Sequence, residues 1–99
     1  MGVRWFSSSK ATGRYRRSVD VKAVRHGDKI VLMNLRSEQF YSLDGVACRV
    51  WDLLEAPATR AGLTDTLAAE FDAPRDEIQN DLDGLLADFV RDGLVREVR

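Results

Sequence analysis

Cys48 and His26 are the residues of this chain best suited to nucleophilic or metal chemistry, and the chain has one of each. A structural zinc centre needs four ligands of this kind, so this pair cannot assemble one. His26 sits in a His-Gly-Asp turn with no Ser or Cys nucleophile near it in sequence. Cys48 stands among Val46, Ala47 and Val50, surroundings that suit a small buried hydrophobe better than a reactive thiolate. Asp76, Glu77, Asp81, Asp83, Asp88 and Asp92 are spread around one helical segment. That spread makes neither a paired acid–base site nor a calcium loop. The glycines are isolated, so no phosphate-cradling loop is formed. The expectation is no catalytic residue, no metal ligand and no cofactor. Function should then rest on recognition.

A chain of 99 residues holds one core. The net charge is −1, but residues 1–18 carry Arg4, Lys10, Arg14, Arg16 and Arg17 with no acid. That leaves −6 on the remainder, separating a basic arm from an acidic body. The single cysteine excludes an intrachain disulfide, and no apolar run reaches the roughly 18 residues of a membrane span. A cytoplasmic address follows. The basic N-terminus lacks the apolar stretch of a secretory signal. Its Arg-rich, acid-free composition is shared with transit peptides, but their amphipathic periodicity is missing.

Residues 1–18 show no period and read as a mobile arm, with Trp5, Phe6 and Tyr15 as aromatic exceptions able to dock on the domain or a partner. The folded domain is expected over residues 19–99. Residues 19–25 alternate, with Val19, Val21 and Ala23 on one face, and predict a half-buried strand. His26-Gly27-Asp28 is a compact turn. Residues 29–35 are nearly continuously apolar, which predicts a central strand covered on both faces. Residues 38–43 form a third strand and complete an antiparallel meander.

At Asp44-Gly45 the pattern switches to helical spacing, with Ala47, Val50, Trp51 and Leu54 in phase until Pro57 stops it. Thr59 is the expected N-cap of a second helix carrying Leu63, Leu67 and Phe71. Pro74 opens a third helix that runs to about Asp92, with Gly93 as its C-terminal stop. Residues 94–98 can add a short final strand.

On a wheel at 100° per residue, Ile78, Leu82, Leu85 and Phe89 of the third helix form the core stripe. Glu77, Asp81 and Asp88 make one flank, read as solvated. Arg75, Gln79, Asp83, Leu86 and Val90 make the other, which mixes apolar and hydrogen-bonding groups. That second flank is either a groove wall or packing beneath the sheet. A sheet with three helices also admits a winged-helix DNA-binding protein. Seven acids against two bases between Asp72 and Asp92 would repel the phosphate backbone, so nucleic acid is not the expected partner.

Phe40-Tyr41-Ser42-Leu43-Asp44-Gly45, then Val50-Trp51 and Leu54, then Leu63 and Leu67, then Asp81-Leu82 and Leu85-Leu86, closing on Asp92-Gly93-Leu94-Val95, stand in one order. This ordered set resembles the PqqD-like family of leader-peptide recognition domains and covers about residues 19–98. The resemblance implies an α+β, winged-helix-like fold, a three-stranded antiparallel sheet followed by three helices. It implies a non-catalytic module that captures the leader of a ribosomally made precursor peptide as an added strand between the third strand and third helix. It also implies a partner enzyme, either a lasso-peptide-type leader protease or a radical enzyme of the pyrroloquinoline quinone type. The basic arm lies outside the shared pattern.

An exposed strand edge supports the same mechanism on physical grounds, because its unpaired N–H and C=O groups can bind an extended peptide. The expected peptide-binding residues are Gln39, Phe40, Tyr41 and Ser42 of the strand and Arg75, Gln79, Leu82, Asp83 and Leu86 of the helix. Two parities stay open: Phe40 and Ser42 line the groove, or Gln39 and Tyr41 do. Asp83 is assigned to a basic leader residue and Arg75 to an acidic one. Ordering a disordered leader takes roughly 2–5 kcal/mol from the gross interaction, which points to micromolar to high nanomolar affinity. No membrane partner is expected, and the domain should be a monomer or a weak homodimer. A subunit pairing with its own copy through the same edge is the structural alternative.

Overall fold

The computed structural model describes residues 13–98. Its elements are β1 (Arg14–Arg17), β2 (Val21–His26), β3 (Lys29–Asn34), β4 (Gln39–Leu43), α1 (Val46–Leu53), β5 (Ala58–Thr59), α2 (Arg60–Phe71), α3 (Arg75–Arg91) and β6 (Val95–Val98). The fold is α+β. Three helices follow an antiparallel meander ordered β2-β3-β4, the winged-helix-like arrangement expected from the sequence.

The β2–β3 hairpin closes on Gly27-Asp28, with His26 opposite Lys29. Gly27 takes φ +66°, a conformation in which a side chain is strained. The β3–β4 connection is built around Asn34, which is buried. Its Oδ1 accepts from the backbone N–H of Arg36 at 2.9 Å and of Ser37 at 3.3 Å. Its Nδ2 donates to the Asp92 carbonyl at 2.9 Å. One amide therefore ties the turn before β4 to the end of α3. Burying it is sustained because both ends of the amide are used.

Thr59 caps α2, its hydroxyl accepting from the Gly62 N–H at 3.0 Å. Asp76 and Glu77 occupy the first turn of α3, where the helix dipole favours them. Gly93 follows α3 with φ +72° and lets the chain reverse into β6. The core joins Ile30, Leu32 and Leu43 of the meander to Val50, Trp51 and Leu54, Leu63 and Leu67, and Ile78, Leu82, Leu86 and Phe89. Trp51 meets Phe89 edge to face at 6.2 Å between centroids.

Two expectations are corrected. The arm does not extend to residue 18. Arg14–Arg17 is a strand paired with β6 on one side and β5 on the other, giving a second sheet ordered β5-β1-β6. Its partners lie more than forty residues away, so residues 14–17 alone carry no sign of pairing. Arg17 fastens this strand to α1. Its Nε and NH2 donate to the Trp51 carbonyl at 3.1 and 2.6 Å, and its guanidinium lies 4.6 Å from the Trp51 ring centroid. Tyr15 packs against the core, while Trp5, Phe6 and the rest of residues 1–12 lie outside the described residues.

The second correction concerns β3. It is the central strand, but only Ile30, Leu32 and Asn34 are buried. Val31 and Met33 are half-buried on the outer face, which no described helix covers. Apolar residues at successive positions signal burial on both faces. Here they mark a sheet whose outer face is itself apolar.

Candidate peptide-binding site

The meander has two edges, β2 and β4. They differ in how well they resist a further strand. Lys22 and Arg25 lie on β2, and Arg25 is fixed by donating to Asp52 Oδ1 at 2.7 Å. Charges on an edge strand are a standard block to strand addition. No residue of β4 is charged: it reads Gln39, Phe40, Tyr41, Ser42 and Leu43. In the second sheet, β5 is two residues long and β6 carries Arg96 and Glu97. Among the described residues, β4 is therefore the long, uncharged, open edge.

The parity of β4 follows from its register. Leu43 stands opposite Ile30 and Tyr41 opposite Leu32, so both point to the helices. Leu43 is buried and Tyr41 is half-buried. Phe40 stands opposite Met33, Ser42 opposite Val31, and both face outward; Phe40 is 66% exposed.

The structure brings the expected α3 residues to a different neighbour. Asp83 is held by α2, with Arg60 Nε donating to Oδ1 at 2.5 Å and Arg60 NH2 to Oδ2 at 2.7 Å. This fork lowers the Asp83 carboxyl below its usual range, and Asp83 in turn raises Arg60. Arg75 donates to Asp65, also on α2. Gln79 lies one turn from each, half-buried on the same flank. Leu82 and Leu86 are 1% and 2% exposed and belong to the core. Arg75 and Asp83 on this flank thus face α2. Asp83 and Arg75, assigned from sequence to a basic and an acidic leader residue, are each paired with a side chain of α2. Val90, further along, lies in a shallow hollow with Ser18, Arg36 and Arg91.

The signal that could have shown this lies in α2. Arg60 and Asp65 are charge-complementary to Asp83 and Arg75, as antiparallel neighbours should be. The flank of α3 turned away from α2 carries Glu77, Asp81 and Asp88, all exposed, with half-buried Leu85 at the border of the core. Among the described residues, Asp88 pairs with Arg91 of its own helix, at 3.0 Å.

Cys48 is buried, and its thiol donates to the Leu43 carbonyl at 3.1 Å. Burial pushes its pKa up, the reverse of what a nucleophile needs. Among the described residues no group of three His, Cys, Asp or Glu side chains is arranged to hold a metal ion. No described helix is long and apolar enough to cross a membrane.

Residues 29–95 match the family model described as coenzyme PQQ synthesis protein D (PqqD). The chain belongs to the PqqD family. Two solved structures share the PqqD-family fold of this chain. One is TbiB1 in complex with the TbiA(beta) leader peptide, 27% identical, with a TM-score of 0.77 over 82% of this chain and 94% of that one. The other is lasso peptide synthetase B1 complexed with the leader peptide, 20% identical, with a TM-score of 0.72 over 83% of this chain and 96% of that one. No curated protein matches this PqqD-family chain significantly.

Proposed function

We propose that this PqqD-family protein is a non-catalytic binding module. It takes the leader of a ribosomally made precursor peptide as an antiparallel strand on β4 and presents it to a maturation enzyme. The observation that carries this reading is the β4 edge, open and uncharged where the other edges are short or charged. The likeness to TbiB1, a protein solved with a leader peptide bound, supports the same reading.

Backbone pairing along residues 39–43 supplies affinity with little sequence demand. Side chains of the added strand then alternate between two surfaces. Those on one face continue the row of Phe40 and Ser42. Those on the other turn toward Gln39, Tyr41 and the α3 flank of Asp81, Leu85 and Asp88. This replaces the wall of Arg75, Gln79, Asp83 and Leu86 read from the sequence, in which Arg75 and Asp83 pair with α2 and Leu86 lies in the core. Leu85 offers an apolar contact, and the carboxylates beside it favour a leader with a basic residue at that position.

Fluorescence anisotropy with the labelled leader of the precursor encoded beside this gene tests the proposal. Saturable binding at micromolar or tighter Kd is expected. Absence of saturation at tens of micromolar would overturn it. Leu85→Ala should weaken binding about five- to tenfold, from the loss of roughly 1–1.5 kcal/mol of apolar contact, while Asp83→Asn leaves Kd within twofold. The opposite ranking would move the groove to the α2 side.

A further inference from the structure

The meander's outer face has a composition that a solvated sheet face does not need. Its rows follow from the register: Lys22, Met33 and Phe40 in one, Val24, Val31 and Ser42 in the next, then His26 and Lys29. Val24 and Phe40 are 64% and 66% exposed, and Val31 and Met33 between them are half-buried. Four apolar side chains on three adjacent strands thus form one continuous patch. No described element lies over it, because the helices pack on the opposite face through Ile30, Leu32 and Leu43. The outward positions of these strands hold two lysines and no carboxylate. A contiguous apolar patch with a charged rim is the usual mark of an interaction surface.

Two features indicate its occupant. The first is charge. An isologous pair of these faces would bring Lys22 and Lys29 onto a face that carries lysines and no carboxylate, a like-charge arrangement that disfavours self-association through this surface. The complement is an apolar surface rimmed by carboxylates. The second is continuity. Phe40 and Ser42 belong to β4, so a strand added to β4 would extend this same face with its own outward side chains.

We infer that the outer face of β2-β3-β4 is the docking surface for the maturation enzyme, and that the outward side chains of the bound leader complete it. The enzyme therefore contacts the domain and the leader on one composite face, and binds the loaded domain in preference to the empty one. This rests on leader addition at β4.

The test uses the full chain, the labelled leader and the peptide-processing enzyme encoded beside this gene. Val24→Glu and Lys22→Glu lie on β2, away from the β4 edge, and both positions are exposed in the folded chain. Leader Kd is expected to stay within twofold for both variants. The enzyme's kcat/KM on the loaded precursor is expected to fall at least tenfold for Val24→Glu and about threefold or more for Lys22→Glu. Thermal melts matching the wild type exclude misfolding as the cause. Wild-type kcat/KM in both variants would overturn the inference. So would binding of the wild-type chain to phosphatidylglycerol vesicles that Val24→Glu abolishes, or a dimer in sedimentation that it dissolves. Loss of leader affinity in wild-type protein would instead refute the β4 reading beneath it.

Discussion

Replacing Arg17 by Ala tests whether residues 14–17 belong to the folded domain. The side chain makes two contributions. Its Nε and NH2 both donate to the Trp51 carbonyl, at 3.1 and 2.6 Å. That carbonyl lies in the last turn of α1, where i+4 donors run out, and shares only a 3.2 Å contact with the Leu54 N–H. A hydrogen bond from a charged donor here is worth about 1.5 kcal/mol. The guanidinium also covers the Trp51 ring at 4.6 Å, adding about 0.5–1 kcal/mol. The expected loss is about 2 kcal/mol, or a fall in Tm of about 10 °C for a domain of this size. Urea denaturation followed by Trp fluorescence measures it, and Arg17→Lys should recover less than half, because an ammonium cannot reproduce the fork. Leader affinity should be unchanged. A destabilisation below about 0.5 kcal/mol in Arg17→Ala would show that Arg17 does not anchor residues 14–17 to α1.

Gly93→Ala should destabilise by about 2 kcal/mol or more, since φ is +72° and the new Cβ would meet Asn34 Nδ2 at 2.8 Å; urea midpoints measure this. The Arg60–Asp83 pair sets a pH dependence of known sign. A folded-state pKa held low by Arg60 contributes stability above the unfolded value of about 3.9, and the contribution is lost as pH falls through the folded value. Asp83→Asn should therefore cost about 0.2–1 kcal/mol at pH 7, the range for an exposed pair, and nothing near pH 2. Cys48 should react with a neutral disulfide reagent at pH 8 far more slowly in the native protein than in urea, because it is buried and its pKa is raised.

The order of the meander and helices was legible because each rests on local signals. Gly27-Asp28 closes a hairpin, Thr59 caps α2, Pro74 opens α3 and Gly93 ends it. The parity of β4, left open by the sequence, is fixed by its register against β3, which turns Tyr41 and Leu43 inward. What was not legible depends on distant partners. Residues 14–17 are recognisable as a strand only beside residues 95–98, and Arg17 as an anchor only beside Trp51. The two flanks of α3 are distinguished by which one α2 covers, and a helical wheel drawn for α3 alone contains no such information. The apolar run of β3 looked like double-sided burial because one sequence pattern serves both a covered sheet and an exposed binding face.

A leader that joins the sheet at β4 must hydrogen-bond to the strand's free backbone amides. Amide hydrogen exchange, with and without the leader peptide at saturating concentration, tests it most directly. Amides of residues 39–43 that point away from β3 should slow by at least tenfold on binding, while those on the outer side of β2 stay unchanged. Protection at β2, or saturable binding with no added protection at β4, would place the leader elsewhere and overturn strand addition at β4.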